Sequence, residues 1–309
     1  MTEMRELFFT TTCTTTLGVA SAEVFRWAFH YLTIADSKRF GAVRHLHEFV
    51  HSAISAFILI VCAHEKGLLL WAGYKITFFA FTFVLLLVYF RIFSIHSPSP
   101  CHALEKHWMQ IYKSGTVLSN NQVIKGTILN ILSLYKMTLT YFRLGAASLL
   151  GQYVGLKLAI MWLKYCWNGW LTVHHETSLP ILDECMVCLN THTLAAVIVE
   201  SLLTFVYLYS FEIIDKMLPP QNDAGKVFSA AITKNSIKGA IILIAMYLFM
   251  DITGAFANPF LALSLQRHCM SDFATSSAII FVYGVGPFIA TAIYLRLRQT
   301  DSAKAKASV

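Results

Sequence analysis

The stretch His-Glu-Phe-Val-His, His47–His51, has residue types and a spacing that could bind a metal ion. Two histidines four positions apart lie on one face of a helix, and with the glutamate between them they match the zinc-binding pattern of metalloproteases. Such a site needs a third protein ligand, for which Asp251 is the only acidic residue placed that late in an apolar segment. An intramembrane zinc metalloprotease is therefore one hypothesis for the chain.

A second stretch, Asp251 to Leu265, could build a solute path instead of a catalytic site. Its Asn258-Pro259 pair predicts the start of a helix, because asparagine is a strong N-cap and proline is favoured at the first helical position. The apolar residues that follow are too few to cross a membrane. A helix that starts at mid-membrane directs its N–H groups and positive dipole end toward the membrane centre, as at permeation sites of transport folds. An ordinary helix kinked at Pro259 is the alternative.

Both stretches lie in a chain that is too apolar for a soluble protein. Its 309 residues are 56% hydrophobic and 13% charged, whereas soluble domains carry about 25% charged residues. Several apolar segments approach the roughly 20 residues that cross a bilayer, where a helix satisfies its own backbone hydrogen bonds. The net charge of +7 does not form one basic block with interleaved aromatic residues, which argues against nucleic-acid binding. The sequence predicts an all-α integral membrane protein.

Six apolar core segments and one weaker N-terminal segment are the predicted spans. The core segments are 47–70, 72–95, 144–163, 193–214, 239–252 and 274–295, and the weaker one is 7–34. Lysine and arginine concentrate in alternate connections, namely 38–44, 96–143, 215–238 and the tail after 296, which the positive-inside rule places in the cytoplasm. The connections at 66–70, 164–192 and 253–273 are poor in them. The N-terminal segment either spans the membrane or lies in its interface.

The Thr-Gly-x-x-x-Asn-Pro pattern that ends at Asn258 and Pro259 resembles the second signature box of the aquaporin family, where Asn-Pro-Ala is usual and Phe260 stands for the alanine. Cys269, eleven residues after Asn258, is similar to a cysteine of the superaquaporin branch. Further matches, spread over residues 45–297, are buried-glutamate, Gln-x-x-Gly and last-helix positions of the family: Glu48, Gln152, Gly155, Glu200, Tyr283, Gly286 and Pro287.

The resemblance implies an aquaporin-like bundle of six transmembrane helices and two re-entrant half-helices, with an extra N-terminal helix. Residues 1–44 would form that helix and a basic linker, 45–297 the channel domain, and 298–309 a cytoplasmic tail. Inverted repeats would cover 45–164 and 191–297, with an insertion at 115–136. The resemblance further implies a homotetramer in an intracellular membrane such as the endoplasmic reticulum. It implies a passive path for water or small neutral solutes such as glycerol and hydrogen peroxide, without catalysis, cofactor or metal.

The first signature box departs from the family pattern. It reads Ser99-Pro100-Cys101, and serine can cap a half-helix but has one hydroxyl donor where asparagine has two amide donors. The residues after it include the charged pair Glu105 and Lys106, which are costly at membrane depth unless they meet water or partners.

The selectivity-filter positions carried over from the family by spacing are Phe79, Met246, Ala255 and Leu261. Leu261 stands where water-selective members have an arginine, so a less water-specific constriction is expected.

Three other hypotheses accompany the channel. The degraded first box is compatible with a non-conducting, structural member of the family. The metalloprotease stays open, although the channel hypothesis gives Glu48 another role, which is to hold backbone groups beside the half-helix. A seven-span receptor is disfavoured, because no acidic-Arg triplet closes the third span. The loop residues His174, His175 and Glu176 could bind a metal but are predicted to be a solvated loop.

Overall fold

The computed structural model describes residues 2–34, 41–92, 99, 127–169, 172–184, 189–218, 224–270 and 273–307. In these ranges the chain forms ten α-helices: α1 (Thr2–Ile34), α2 (Gly41–Trp71), α3 (Lys75–Ile92), α4 (Thr127–Gly169), α5 (Val173–Ser178), α6 (Thr193–Met217), α7 (Ala224–Thr253), α8 (Pro259–Gln266), α9 (Phe273–Ile280) and α10 (Gly286–Ala307). Short 3-10 helices follow α5 (Leu179–Leu182) and α8 (Arg267–Cys269), and a π-helical turn, Phe281–Val285, joins α9 to α10.

Five helical segments among the described residues are long and apolar enough to cross a membrane. They are Arg44–Trp71, Phe142–Gly169, Thr193–Met217, Ala230–Thr253 and Phe273–Arg298. The protein is therefore an all-α, multi-pass membrane protein, as the composition predicts. Most of α3, Lys75–Phe90, is a shorter apolar helix.

The N-terminal helix α1 packs against the rest of the molecule and runs antiparallel to α2. Leu7, near its start, is fully buried. Further along, Arg26 donates a hydrogen bond to Ser55 Oγ at 3.1 Å, and His30 lies beside His47 near the start of α2. The segment therefore packs as part of the helical core.

Close helix packing fixes the position of α4 on α2. A Cβ atom added at Gly151 would lie 2.2 Å from the carbonyl oxygen of Phe49, and one added at Gly155 would lie 2.1 Å from that of Ala53. Two glycines four residues apart thus let the two backbones touch, as small residues do between helices in membranes.

A similar approach joins α6 to α10 in the second half of the chain. Gly286 would place a Cβ atom 3.1 Å from the carbonyl oxygen of Val197. Ser201 Oγ donates a hydrogen bond to the Gly286 carbonyl oxygen at 2.9 Å. Pro287, which follows, is buried. These contacts place α6, and with it Glu200, beside the last helix.

Two sequence predictions about connections are wrong. The predicted loop at 66–70 is helical, because α2 continues to Trp71 and the turn falls at 72–74, where Gly73 has φ 85°. Polar Glu65 is tolerated inside α2 because Trp167 donates a hydrogen bond to it at 2.9 Å. His175 is not part of a solvated loop: it is fully buried, with Nε2 3.4 Å from Glu65 Oε2.

The predicted insertion at 115–136 is described only in part. Its residues 127–136 form the beginning of α4, so they continue into a long helix and do not make a separate one. Residues 115–126 lie outside the described ranges.

Candidate functional site

A five-residue loop, Gly254 to Asn258, separates α7 from α8. Gly254 has φ 78°, and a Cβ atom there would lie 2.5 Å from the Phe256 ring, so glycine is required. Ala255 and Ala257 also have positive φ, 51° and 46°. Alanine in the left-handed region is strained, and such strain persists only where the surroundings hold it and concentrates at functional sites.

The carboxylate of Glu200, fully buried in α6, holds this loop. Its Oε1 accepts a hydrogen bond from Thr253 Oγ1 at 2.6 Å and one from the Phe256 N–H at 3.3 Å. Its Oε2 accepts from the Ala257 N–H at 2.8 Å. The three partners are donors, which is the arrangement that satisfies an ionised carboxylate away from water. Glu200 therefore fixes the backbone between the two alanines.

Tyr283 fixes both ends of the same region. Its hydroxyl donates a hydrogen bond to the Thr253 carbonyl oxygen at 2.7 Å and accepts one from Gln266 Nε2 at 3.1 Å. Its ring meets the Phe256 ring edge-on, with centroids 5.5 Å apart. Tyr283, matched in the sequence to a last-helix position, thus joins the end of α7 to the end of α8.

Asn258 is the N-cap of α8, as the sequence predicts. Its backbone is extended (φ −143°, ψ 113°), and its Oδ1 accepts hydrogen bonds from the N–H groups of Phe260 at 3.0 Å and Leu261 at 3.4 Å. Pro259 stands at the first helical position. The alternative of one helix kinked at Pro259 is excluded, because the non-helical loop separates α7 from α8.

An elongated cavity of about 550 Å³ lies against this loop, between α2, α3 and α7. On α3 its wall runs from Lys75 to Tyr89, fourteen residues apart and therefore about 21 Å along the helix. Asn258 and the whole preceding loop form part of the wall. The start of α8 is thus exposed to a space large enough for water or a small solute.

Three of the four predicted filter residues line this cavity: Met246, Ala255 and Leu261. Phe79 is the exception, since its neighbour Phe78 lines the wall instead. The ring of Phe79 packs edge-on against Tyr247, at 5.8 Å between centroids.

The cavity wall carries charges that sequence analysis did not place there. Lys66, Lys75 and Asp251 line it, and Lys66 Nζ lies 5.5 Å from the centre of the Phe78 ring. The wall therefore carries positive charge even though Leu261 stands where water-selective members of the family have an arginine. Lys66 was not expected in the wall because it falls in the predicted connection 66–70. The signal that could have placed it there is the uninterrupted helical pattern of α2 through Trp71.

Residues matched to the first half of the family pattern lie away from this cavity. Gln152 is buried, with Nε2 3.5 Å from Ser148 Oγ, and Ser148 Oγ is 2.8 Å from Ser52 Oγ. Glu48 is half-buried near the start of α2. Ser99 is half-exposed. The rest of the first box, Pro100 and Cys101, lies outside the described residues.

Cys269, at the end of the 3-10 helix after α8, is buried and disulfide-bonded. Its partner lies outside the described residues. Cys269 is therefore not a free thiol. Of the described cysteines, Cys13, Cys62 and Cys166 are free.

The two histidines of the metalloprotease pattern lie together in the structure, but the predicted third ligand, Asp251, does not lie near them. The rings of His47 and His51 are 4.0 Å apart. Asp251 lines the cavity together with Trp71, which is 24 residues, or about 36 Å of helix, beyond His47. Asp251 therefore cannot complete a site with these histidines.

Compared with models of protein families, with curated proteins and with solved structures, the chain matches none at a significant level. The aquaporin resemblance therefore rests on the sequence motifs alone.

Proposed function

We propose that the chain is a passive transmembrane channel for water and small neutral solutes, built on an aquaporin-like plan of six spans and two half-helices. The observation that carries the proposal is the capped start of α8 on the wall of the elongated cavity. There, the Asn258 side chain and the positive end of a helix dipole meet a path for solute. In this plan α3 joins the five longer apolar segments to make six spans, and α8 is the second half-helix.

The loop geometry supports this function over that of a plain helix bundle. Non-helical backbone at membrane depth is tolerated where it lines a cavity or is buried in protein. The loop from Gly254 to Asn258 does both, because it lines the cavity and is held by Glu200. A bundle without a solute path gains nothing from two strained alanines and a buried carboxylate.

The sidedness of the molecule supports a compartment with an oxidising lumen. Cys269 is disulfide-bonded, and disulfides persist in oxidising compartments such as the endoplasmic reticulum lumen. It lies in the connection 253–273, one of those the positive-inside rule places opposite the cytoplasm. The charge pattern and the disulfide therefore favour the same side, and Trp71, Lys75 and Asp251 of the cavity wall lie toward it.

The wall chemistry favours uncharged solutes. Lys66 and Lys75 outnumber the single Asp251, so the wall carries net positive charge and disfavours cations. Leu261 and Met246 add an apolar surface beside the Asn258 amide. Glycerol and hydrogen peroxide, which are small and neutral, fit such a wall as well as water does.

Stopped-flow light scattering on proteoliposomes tests the proposal, with osmotic shocks of sucrose and then of glycerol. Wild-type vesicles should shrink faster in sucrose than empty liposomes. Asn258→Asp should bring the rate to within about twofold of empty liposomes, because aspartate caps a helix as well as asparagine but has no amide donor for the solute. Asn168→Asp, on an exposed position of α4, is the matched control and should conduct like wild type.

Two results would contradict the channel. Wild-type vesicles that shrink no faster than empty ones would favour the non-conducting, structural homologue. Fast shrinkage that Asn258→Asp leaves unchanged would mean that solute does not pass the start of α8.

A further inference from the structure

A cluster of three histidines joins α1 to α2 at the end of the molecule opposite Trp71 and Asp251. His30 comes from α1, and His47 and His51 come from one face of α2. One ring nitrogen of each lies within 4.8 Å of one ring nitrogen of both others. The sequence pattern shows only the α2 pair, because His30 reaches it through the antiparallel packing of α1 on α2.

The separations fit a metal centre. A zinc ion binds imidazole nitrogens at about 2.0–2.1 Å, so two ligand nitrogens in a tetrahedral site are about 3.3 Å apart. His30 Nδ1 and His47 Nε2 are 3.4 Å apart. The His47 and His51 ring centroids are 4.0 Å apart with the ring planes tilted by 33°, and His30 meets the His51 ring edge-on. Small changes in side-chain torsion would direct all three rings at one ion.

The three histidines differ in solvent exposure, so the site has a buried side and a side open to the exterior. His51 is buried, His47 is half-buried and His30 is exposed. An ion could therefore enter past His30 and keep a water molecule as its fourth ligand, as in zinc sites with three protein ligands. The nearest cation on α1, Arg26, is paired with Glu23 at 3.2 Å and donates to Ser55, so its charge is compensated locally.

We propose that His30, His47 and His51 form a binding site for one divalent transition-metal ion of the zinc class. Imidazole ligands suit zinc, copper and nickel, and the three side chains stand on two rigid helices. The ion would fasten the end of α1 to the start of α2. This inference does not rest on channel activity, since the cluster lies apart from the cavity around Asn258.

The test is metal binding by the untagged full-length protein in detergent, after removal of metal with a chelator and dialysis. Equilibrium dialysis with Zn²⁺ should give one bound ion per chain. Addition of Co²⁺ should give the intense visible absorption of a tetrahedral site, which Zn²⁺ then abolishes. His30→Ala and His51→Ala should each weaken Zn²⁺ binding by at least about 100-fold, because loss of an inner ligand exceeds the 10–100-fold cost of losing an outer-shell partner.

Two control variants separate this site from other histidines and from misfolding. His45→Ala changes another histidine of α2, and His174→Ala changes one in α5; both should bind Zn²⁺ like wild type. Each variant is first checked for a single size-exclusion peak and normal helical circular dichroism. Zn²⁺ should also raise the Tm of wild type but not of His30→Ala.

Failure of wild type to bind Zn²⁺, or undiminished binding by His30→Ala, would overturn the proposal. Binding lost in His174→Ala and kept in His30→Ala would move the site to α5 and would overturn the proposal as well. Water permeability measured on the same samples reports separately on the channel, so one proposal can fail without the other.

Discussion

Replacement of Glu200 by glutamine tests whether the buried carboxylate holds the loop before α8. Glutamine has the same shape but turns one oxygen into an NH2 donor, which would face the Ala257 N–H that now donates to Oε2 at 2.8 Å. A buried N–H left without an acceptor costs about 1–3 kcal/mol. The hydrogen bonds from Thr253 and Phe256 lose the charge of their acceptor, at about 0.5–1 kcal/mol each. The free energy of unfolding should therefore fall by about 2–5 kcal/mol.

The assay measures unfolding in detergent and water permeability in proteoliposomes for the same preparations. Glu200→Gln should have a lower Tm and at least about tenfold less protein-mediated water permeability, since a displaced loop displaces Asn258. Glu212→Gln on the same helix is the matched control. Glu212 pairs with Lys216 at 2.8 Å and with Arg298 at 3.6 Å, partners that are partly exposed, so its loss should cost no more than about 1 kcal/mol. Equal Tm and permeability in the two variants would refute the assigned role of Glu200.

Three further substitutions test other contacts. Gly155→Ala places a methyl group 2.1 Å from a carbonyl oxygen of α2 and should cost about 3 kcal/mol or more, whereas Gly169→Ala, with nothing within 4 Å, should change the free energy of unfolding by less than about 1 kcal/mol; equal Tm shifts would contradict the close helix contact. The hydrogen bond from Lys164 lowers the pKa of Asp183. A carboxyl group whose pKa is lowered in the folded state stabilises the protein above the unfolded-state pKa, and this stabilisation is lost as the pH falls through the folded-state pKa. Asp183→Asn should therefore be less stable than wild type at pH 7 by at most about 1 kcal/mol. The free energies of unfolding of the two proteins should converge only below pH 3.8. Leu261→Arg adds a charge to the cavity wall and should lower glycerol permeability more than water permeability, whereas an equal fall in both would indicate simple blockage.

Features that depend on local sequence were predictable. The Asn258-Pro259 pair specifies a helix start through side-chain capping and the fixed φ of proline, and α8 begins there. Small residues at helix contacts, such as Gly155 and Gly286, were expected to permit close packing and do so. The composition alone predicts an all-α membrane protein, because backbone N–H and C=O groups in an apolar bilayer must be hydrogen-bonded within the chain and a helix does this.

Features that depend on distant partners were not predictable from one sequence. The connection after α2 was placed at 66–70, around Gly67, whereas α2 continues to Trp71. Trp167, 102 positions from Glu65, supplies the hydrogen bond that allows Glu65 to be buried in this helix. Thr253 was noticed as part of a motif but not as a donor to Glu200. His30 joins the α2 histidines only once α1 packs on α2. Each depends on which helices become neighbours, which hydrophobic periodicity does not specify.

The loop before α8 is held against its own local preference. Alanine is the best helix former, and two alanines stand among the five residues between α7 and α8. In isolation, Ala255 would favour a helix that extends α7. Asn258, by contrast, is disfavoured in helical geometry by its own neighbour, because Pro259 follows it. The competing structure is therefore a helix that continues toward Asn258, and the carboxylate of Glu200 opposes it by accepting the N–H groups of Phe256 and Ala257.

Strain and restraint can be compared directly at this loop. Left-handed geometry costs about 1–2 kcal/mol for each of Ala255 and Ala257, whereas three hydrogen bonds to a charged acceptor contribute about 1.5–3 kcal/mol each. The restraint exceeds the strain while Glu200 is charged, and the two become comparable once glutamine removes one hydrogen bond and weakens two. Glu200→Gln should thus increase amide hydrogen exchange at Phe256 and Ala257 as well as lower the Tm. A loop whose exchange stays as slow as in wild type would mean that Tyr283 and the cavity wall suffice to hold it.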